Sequence, residues 1–201
     1  MRTCLLATTY FGPIQWYQKL HRYDRVLIEQ HESFLKQTYR NRCLIATTQG
    51  VQALTVPVAK DERGPISELR VSDHGNWRHL HWQAIQSAYG DSPFFEYYED
   101  DLRPFFAEQR WATLMELNDD ICHTLCQLLD IQPNAEKTEK YSKNGDFIDF
   151  RDTIRPKKPL PDPDFIPRPY YQVFSQKHGF LPNLSVLDLL FNMGPESIFF
   201  L

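Results

Sequence analysis

Residues 36–42 (KQTYRNR) carry the charges in this chain that are best suited to holding an anionic ligand. Two guanidinium groups, an ammonium group and the Asn41 amide lie together where a strand is predicted to begin. Arginine binds a carboxylate or phosphate through two parallel hydrogen bonds, so Lys36, Asn41 and Arg42 become candidate ligand-binding residues. The same charges could instead prevent an exposed edge strand from pairing with strands of other chains.

His81 is the candidate for proton transfer. It shares one face of a predicted helix with Trp77, Ile85 and Tyr89, because these four positions recur at intervals of four residues. A histidine among aromatic rings can act as a general base near neutral pH. It can equally be a core histidine whose ring nitrogens are satisfied by hydrogen bonds, and the sequence leaves both interpretations open.

Residues 146–158 (DFIDFRDTIRPKK) alternate acidic and basic side chains within a predicted loop. Asp149, Arg151 and Lys157 could clamp a zwitterionic or anionic substrate if the loop is fixed. A solvated connection between two elements would have a similar composition.

Cys122 and Cys126 lie one helical turn apart, a spacing that can supply two metal ligands. No second pair follows at the spacing of a zinc finger, and cysteine is often a small buried apolar residue, so no metal site is predicted. The sequence also lacks a glycine-rich phosphate loop, a dinucleotide fingerprint, a nucleophile elbow and an HExxH motif. It therefore identifies no cofactor.

Composition limits the class of protein. With 201 residues, 42% hydrophobic and 14% aromatic, the chain can bury one sizeable core, and a single domain over residues 1–201 is expected. A net charge of -4 argues against a general nucleic-acid binder. Four scattered cysteines, no signal peptide and no apolar run long enough to span a bilayer predict a cytoplasmic protein.

Strand patterns dominate the first third of the sequence. TCLLATTYF predicts a strand and a helix follows from Pro13, while RVLIEQ predicts a second strand. Residues 42–58 predict a hairpin that turns near Gln49 and Gly50, and ISELRV (residues 66–71) predicts a further strand.

Helical patterns follow. Asn76 is the expected cap of a helix that ends at Gly90, and Ser92 is the expected cap of a second helix that breaks at Pro104. The third helix, within residues 111–131, has the clearest apolar stripe.

The amino-acid composition changes in the last third of the sequence. Residues 132–169 are charged and proline-rich, which is typical of a functional loop. A short helix near residues 183–192 and a final SIFFL, expected to be a buried strand or docking segment, close the chain. Together these elements predict an α/β or α+β fold with an N-terminal sheet covered by helices, a long proline-rich loop, and an apolar C-terminal segment packed into the core.

The sequence resembles the WbqC-like family, whose members are bacterial proteins often encoded in O-antigen and other surface-polysaccharide gene clusters. The resemblance covers nearly the whole chain. It rests on TTYFGPIQWYQKL, FLKQTYRNRCLI followed by LTVPV, NWRHLHWQAIQSAYGDSPFFEYYEDDL, IDFRDTIRPKK and YYQVFSQKHGFLPNLSVLDLLFNMGPES. Cys43 departs from it, because the family more often has a polar residue there, so a cysteine nucleophile is not supported.

The resemblance implies an acyl or aminoacyl transferase, similar to a glycine transferase, that modifies an amino sugar or nucleotide sugar in O-antigen synthesis. Its partners would be small molecules: a nucleotide sugar and an activated amino acid. The alternative is a noncatalytic scaffold of the polysaccharide assembly machinery, which would use the aromatic residues of segment 92–111 as a partner-binding patch.

The transferase hypothesis predicts one pocket built from separate stretches of chain. His81 would act as the base, and Tyr10 would add a hydroxyl from the end of the first strand. The expected substrate-binding residues are Lys36, Asn41, Arg42, Tyr89, Asp149, Arg151 and Lys157.

Overall fold

The computed structural model describes residues 2–59 and 64–201. Its strands are β1 (Thr3–Ala7), β2 (Arg25–Glu29), β3 (Arg42–Thr47), β4 (Gly50–Thr55), β5 (Ala135–Lys137) and β6 (Ile148–Asp149). Its helices are α1 (Ile14–Arg22), α2 (Trp77–Tyr89), α3 (Phe95–Leu102), α4 (Pro104–Ala107), α5 (Leu114–Leu128), α6 (Ser175–His178) and α7 (Val186–Met193). The predicted mixed α/β class is confirmed.

Four parallel strands form the main sheet in the order β5-β2-β1-β6. The apolar sequence of β1 suits its central position, where Cys4, Leu5 and Leu6 are fully buried. From β1 the chain proceeds outward on one side through β2 and β5, and then returns to the other side as β6. The direction of strand order therefore reverses between β1 and β6.

The predicted hairpin is confirmed as β3 and β4, which pair antiparallel from Arg42 opposite Thr55 to Thr47 opposite Gly50. Gly50 has a φ of 103°, which few side-chain-bearing residues adopt at a turn. The strand predicted for ISELRV is wrong at its start, because Ile66–Glu68 forms a 3-10 helix. Pro65 precedes it, and the Pro65 carbonyl accepts from the Glu68 amide, so the segment closes on itself.

The predicted helices are present, although two begin differently than expected. Asn76 precedes α2 in a left-handed conformation (φ 48°), and its side chain makes no capping hydrogen bond. Helix α3 begins at Phe95 instead of following directly on Ser92, and Pro104 starts the separate helix α4. Helix α5 carries a full capping box between Thr113 and Glu116, which explains its clear sequence signal.

The aromatic residues of segment 92–111 do not form the predicted surface patch. They turn inward, where Phe106 stacks on Phe11 with ring centroids 5.5 Å apart, and only Tyr97 is largely exposed, at 72%. The buried rings of the segment belong to Phe95, Tyr98, Phe105, Phe106 and Trp111. The feature that motivated the scaffold hypothesis is therefore wrong, because amphipathic helices bury these rings.

The C-terminal segment packs into the core as predicted. Helix α7 begins after Ser185, whose hydroxyl accepts from the Leu187 amide, and Leu187, Leu190 and Phe191 are fully buried. The closing residues form a 3-10 helix (Gly194–Phe200), so SIFFL docks without forming a strand. Within the described residues, no helix has the length and apolar character needed to cross a membrane.

Candidate functional site

The carboxyl ends of the parallel strands bring buried polar groups together. Thr8 and Thr9 follow β1, Glu29 ends β2, and Arg151 follows β6, and all four side chains are at least nine-tenths buried. In open sheets of parallel strands, ligands bind at this edge, at the point where strand order reverses. The edge between β1 and β6 is therefore the candidate site.

Arg40 and Glu32 form a buried ion pair in the loop that follows β2. The Arg40 guanidinium donates through Nε and Nη2 to both carboxylate oxygens of Glu32, at 2.7 Å each. The Asn118 amide fixes this loop against β1, since it donates both to the Arg40 carbonyl at 2.9 Å and to Thr8 Oγ1 at 3.1 Å. Helix α5 thus sets the position of a bidentate charge pair at the sheet edge.

Arg151 is held by acidic groups from two neighbouring segments. Its Nη2 donates to Asp149 at 2.7 Å and to the Ser142 carbonyl at 2.9 Å, and its Nη1 lies 3.6 Å from Glu29 Oε2. Burial lowers the pKa of Arg151, but the hydrogen bonds and charge of Asp149 outweigh it, so the pKa is raised. The guanidinium is therefore a permanent cation at this edge.

Glu29 is a completely buried carboxylate at the end of β2. Its Oε1 accepts from the Thr138 hydroxyl at 2.9 Å and from the His31 amide at 2.8 Å, while Oε2 accepts from the Ser142 amide at 2.8 Å. The loop after β5 consequently closes over this carboxylate, and Arg151 provides its nearby positive charge.

A small cavity lies against this cluster, with Thr9, Arg40 and Arg151 among its lining residues. It offers about 10 Å³ to the centre of a water-sized sphere, which is close to the minimum that one water molecule requires. The buried Thr9 hydroxyl has no hydrogen-bond partner in the described part of the chain. The site is therefore closed, with an unsatisfied polar group at its wall.

The two predicted catalytic residues, Tyr10 and His81, contact each other. The Tyr10 hydroxyl lies 2.9 Å from His81 Nδ1, and Trp77 packs edge-on against the imidazole with ring centroids 5.1 Å apart. Burial lowers the pKa of His81 to about 4, opposed by a hydrogen bond with the Thr55 backbone. The imidazole is thus neutral at pH 7, and its environment matches that of a satisfied core histidine.

This environment predicts an acid-sensitive fold. Because the folded pKa of His81 is lower than the unfolded value, the unfolded chain binds more protons between pH 6.5 and pH 4, and stability falls as pH falls through this window. The loss attributable to His81 is expected to reach about 3 kcal/mol at pH 4. Urea midpoints measured across the window should show the loss.

The variant His81→Gln removes the titrating group, so its stability should vary less over the same pH window, whatever its stability at pH 7. The matched control is His79→Gln, on the exposed face of the same helix, which should keep the wild-type pH dependence. Equal pH dependence in His81→Gln and the wild type would contradict the assignment.

The structure places the other predicted residues in separate groups. Tyr89 donates to Asp188 at 2.9 Å inside the core, and the Asn41 amide donates to the Val56 carbonyl at 2.8 Å. Lys157 donates to Gln37 at the surface, at 3.2 Å.

The remaining two predicted residues, Lys36 and Arg42, are exposed and half-buried respectively. Of the predicted site residues, Arg151 alone is among those that line the cavity at the sheet edge. That the predicted site residues together line one pocket stays a prediction.

The sequence interpretation missed Glu29, Glu32 and Arg40 as members of a site. Arg40 belongs to the basic cluster of residues 36–42, but the sequence prediction names only its neighbours Asn41 and Arg42 and the nearby Lys36. The available signal was an acidic residue at the end of an apolar strand, since RVLIE places Glu29 where a parallel strand ends.

The fold and the site together define a mixed α/β protein with a buried cluster of charges at the carboxyl edge of a parallel sheet. The chain belongs to the WbqC-like protein family, whose model matches residues 8–152. That range begins at Thr8 and includes Arg151, so it contains every member of the charged cluster.

A curated relative extends the similarity beyond this range. The chain is 29% identical over 203 residues to the uncharacterized protein Rv1507c of Mycobacterium tuberculosis, covering 87% of this chain and 86% of that protein. No solved structure matches the chain.

Proposed function

We propose that this protein is a cytoplasmic acyl or aminoacyl transferase, similar to a glycine transferase, that modifies an amino sugar or nucleotide sugar in surface-polysaccharide (O-antigen) biosynthesis. The observation that carries the proposal is the pair of buried guanidinium groups, Arg40 and Arg151, at the sheet edge where strand order reverses. Buried charges in such a location are typical of binding and catalytic sites.

Each guanidinium group keeps one terminal nitrogen for a ligand. Arg40 uses Nε and Nη2 for Glu32, and its Nη1 has no hydrogen-bond acceptor among residues 2–59 and 64–201. Arg151 uses Nε and Nη2 for Asp149 and Ser142, and the 3.6 Å from its Nη1 to Glu29 is too long for a hydrogen bond. Two such nitrogens suit a carboxylate or phosphate oxygen.

Exposed cations extend the positive charge to the protein surface near the sheet edge. Lys157 joins the loop after β6 to the loop after β2 through its hydrogen bond to Gln37, and Lys36 and Lys158 are exposed beside these two residues. Clustered positive charge raises the local concentration of anions and their association rate. The diphosphate of a nucleotide sugar is an anion of the appropriate kind.

The proposed chemistry is attack of an amine on an activated acyl group. The amine nitrogen bonds to the carbonyl carbon, the bond to the donor's leaving group breaks, and the nitrogen loses one proton. Glu29 is the proposed acceptor of that proton, because it is a buried carboxylate beside Arg151. His81 belongs to a separate group with Tyr10 and Trp77, so this role is not assigned to it.

Substrate entry requires the loops over the edge to move. A ligand of the proposed size needs a pocket of several hundred Å³, whereas the cavity holds about one water molecule. Residues 138–142 cover Glu29, and their movement would expose both this carboxylate and the Arg151 side chain. Such loop movement, with closure over bound substrate, is common in transferases and excludes water from the reaction.

The test is incubation of the purified chain with activated glycine and UDP- or dTDP-linked amino sugars, followed by mass spectrometry. The wild type should add one glycyl residue to the sugar. Glu29→Gln should bind the nucleotide sugar but lose at least about 100-fold in turnover, the usual contribution of a general base.

Arg151→Gln should weaken binding of the nucleotide sugar measured by calorimetry. The control Arg168→Gln changes an exposed arginine outside the site, which donates to the Phe199 carbonyl, and it should bind as the wild type does. If the wild type modifies no sugar with any donor yet binds polysaccharide assembly proteins, the noncatalytic scaffold function replaces the transferase.

A further inference from the structure

A second cluster of chemically active side chains lies on helix α5, away from the charged site. Cys122 and Cys126 occupy successive turns of the helix, and their sulfur atoms are 4.0 Å apart. Both line an open cavity of about 440 Å³ between α5 and the strands β2 and β5, together with apolar groups that include Ile28 and Ile131. The two thiols thus face a common space that solvent can enter.

The separation of the two sulfur atoms suits a shared metal ion better than a disulfide. Two sulfurs bound at about 2.3 Å to one metal lie about 3.8 Å apart for a tetrahedral angle and about 4.6 Å apart for a linear one. The observed 4.0 Å falls within this interval. A disulfide would require the sulfurs to approach to about 2.05 Å, against the geometry of a regular helix.

The surrounding side chains favour a metal of low coordination number. Asp119 and His123 line the same cavity, but Asp119 is paired with Lys137, and the His123 ring lies against Gln127 at 3.2 Å. Over the described ranges, no group of three or more His, Cys, Asp or Glu residues is placed to hold a metal ion. Zn²⁺ normally takes four ligands, whereas soft thiolate ligands select Cu(I), for which two thiolates suffice.

We propose that Cys122 and Cys126 form a binding site for a soft monovalent metal ion, with Cu(I) as its best representative. Binding converts two thiols and one Cu(I) ion into a bis-thiolate complex and releases two protons to solvent. No oxidant is involved, because the copper and the sulfur atoms keep their oxidation states. The site is independent of the proposed transferase chemistry.

The other two cysteines provide an internal comparison. Cys4 and Cys43 are 0% and 1% exposed inside the core, so neither can take up a metal ion from solvent. A single equivalent of Cu(I) bound per chain is therefore expected for the wild type.

The experiment is anaerobic titration of the reduced protein with Cu(I) in the presence of bicinchoninate, a coloured competitor. The wild type should withdraw one equivalent of Cu(I) from the competitor, and Cys122→Ser and Cys126→Ser should each weaken uptake at least 100-fold. His123→Ala should bind as the wild type does, because the imidazole is not a ligand in this proposal.

A second measurement uses only the wild-type protein, so it does not depend on whether a variant folds. Cu(I) should protect Cys122 from alkylation by iodoacetamide, as read by peptide mass spectrometry. Failure of the wild type to compete for Cu(I), full uptake by either serine variant, or unprotected Cys122 would overturn the proposal. Tight Zn²⁺ binding that depends on His123 would overturn it too, since it would reveal a site of different coordination.

Discussion

Replacing Glu32 with alanine is expected to lower the free energy of unfolding by about 3 to 5 kcal/mol. The side chains of Arg40 and Glu32 are only 2% and 8% exposed, so the variant leaves a buried guanidinium without its bidentate partner. The large cost comes from this uncompensated charge and exceeds the net contribution of the intact pair. Urea denaturation at pH 7 measures the difference.

The surface provides the matched control. Glu136 pairs with Arg25 across β5 and β2, but these side chains are 48% and 46% exposed, so Glu136→Ala should cost less than about 1 kcal/mol. Replacing both members of the buried pair, as Glu32→Leu with Arg40→Met, should restore most of the lost stability, because no buried charge remains. Equal losses in Glu32→Ala and Glu136→Ala would show that the Arg40 charge reaches solvent.

Replacing Asp188 with alanine should cost at least about 3 kcal/mol, because three buried donors lose one acceptor group. The carboxylate accepts from the Tyr89 hydroxyl at 2.9 Å, the Tyr170 hydroxyl at 2.6 Å and Gln172 Nε2 at 2.8 Å. Burial raises the pKa of Asp188, and the three hydrogen bonds counter that shift. Asp188→Asn should also destabilise the fold, because the NH2 group of the asparagine side chain is itself a donor and would face other hydrogen-bond donors.

The effect should extend beyond global stability. Tyr170 and Gln172 follow the proline-rich segment (residues 132–169), so losing their acceptor should free that segment and speed tryptic cleavage after Lys157. Limited proteolysis and urea denaturation check the two effects together. Asp101→Ala, on the exposed face of α3, should change stability by less than about 0.5 kcal/mol and leave cleavage unchanged. A wild-type cleavage pattern in Asp188→Ala would show that the Asp188 carboxylate does not hold the proline-rich segment in place.

Local patterns predicted the elements that depend on local forces. The helical period of the apolar residues in α5 and the cap at Thr113 are both encoded by one short stretch of sequence. The β3–β4 turn and the apolar strand β1 are each encoded by a short stretch of their own. Those elements were therefore predictable. The strands β5 and β6 were not, because they are three and two residues long respectively in charged sequence and exist only by pairing with β2 and β1.

The candidate site was predictable only in part for the same reason. Arg151 could be chosen from its charged loop, and Tyr10 could be chosen from its place at the end of the first strand. The partners of Arg151 and Arg40, by contrast, depend on where long loops pack against the sheet. Glu29, for example, meets Ser142 across more than a hundred residues of chain, and no local pattern encodes that distance.

The arrangement of the sheet also determines when it can form during synthesis. Among the strands of this sheet, β1 leaves the ribosome first, yet one of its edges stays unpaired until β6 is made and Leu5 pairs with Asp149. At about 5 to 20 residues per second, synthesis of the intervening chain takes roughly 7 to 30 s. During that interval the apolar edge of β1 is an open template for other strands. The β1 edge that pairs with β6 therefore stays unpaired until residues 148 and 149 have been synthesised.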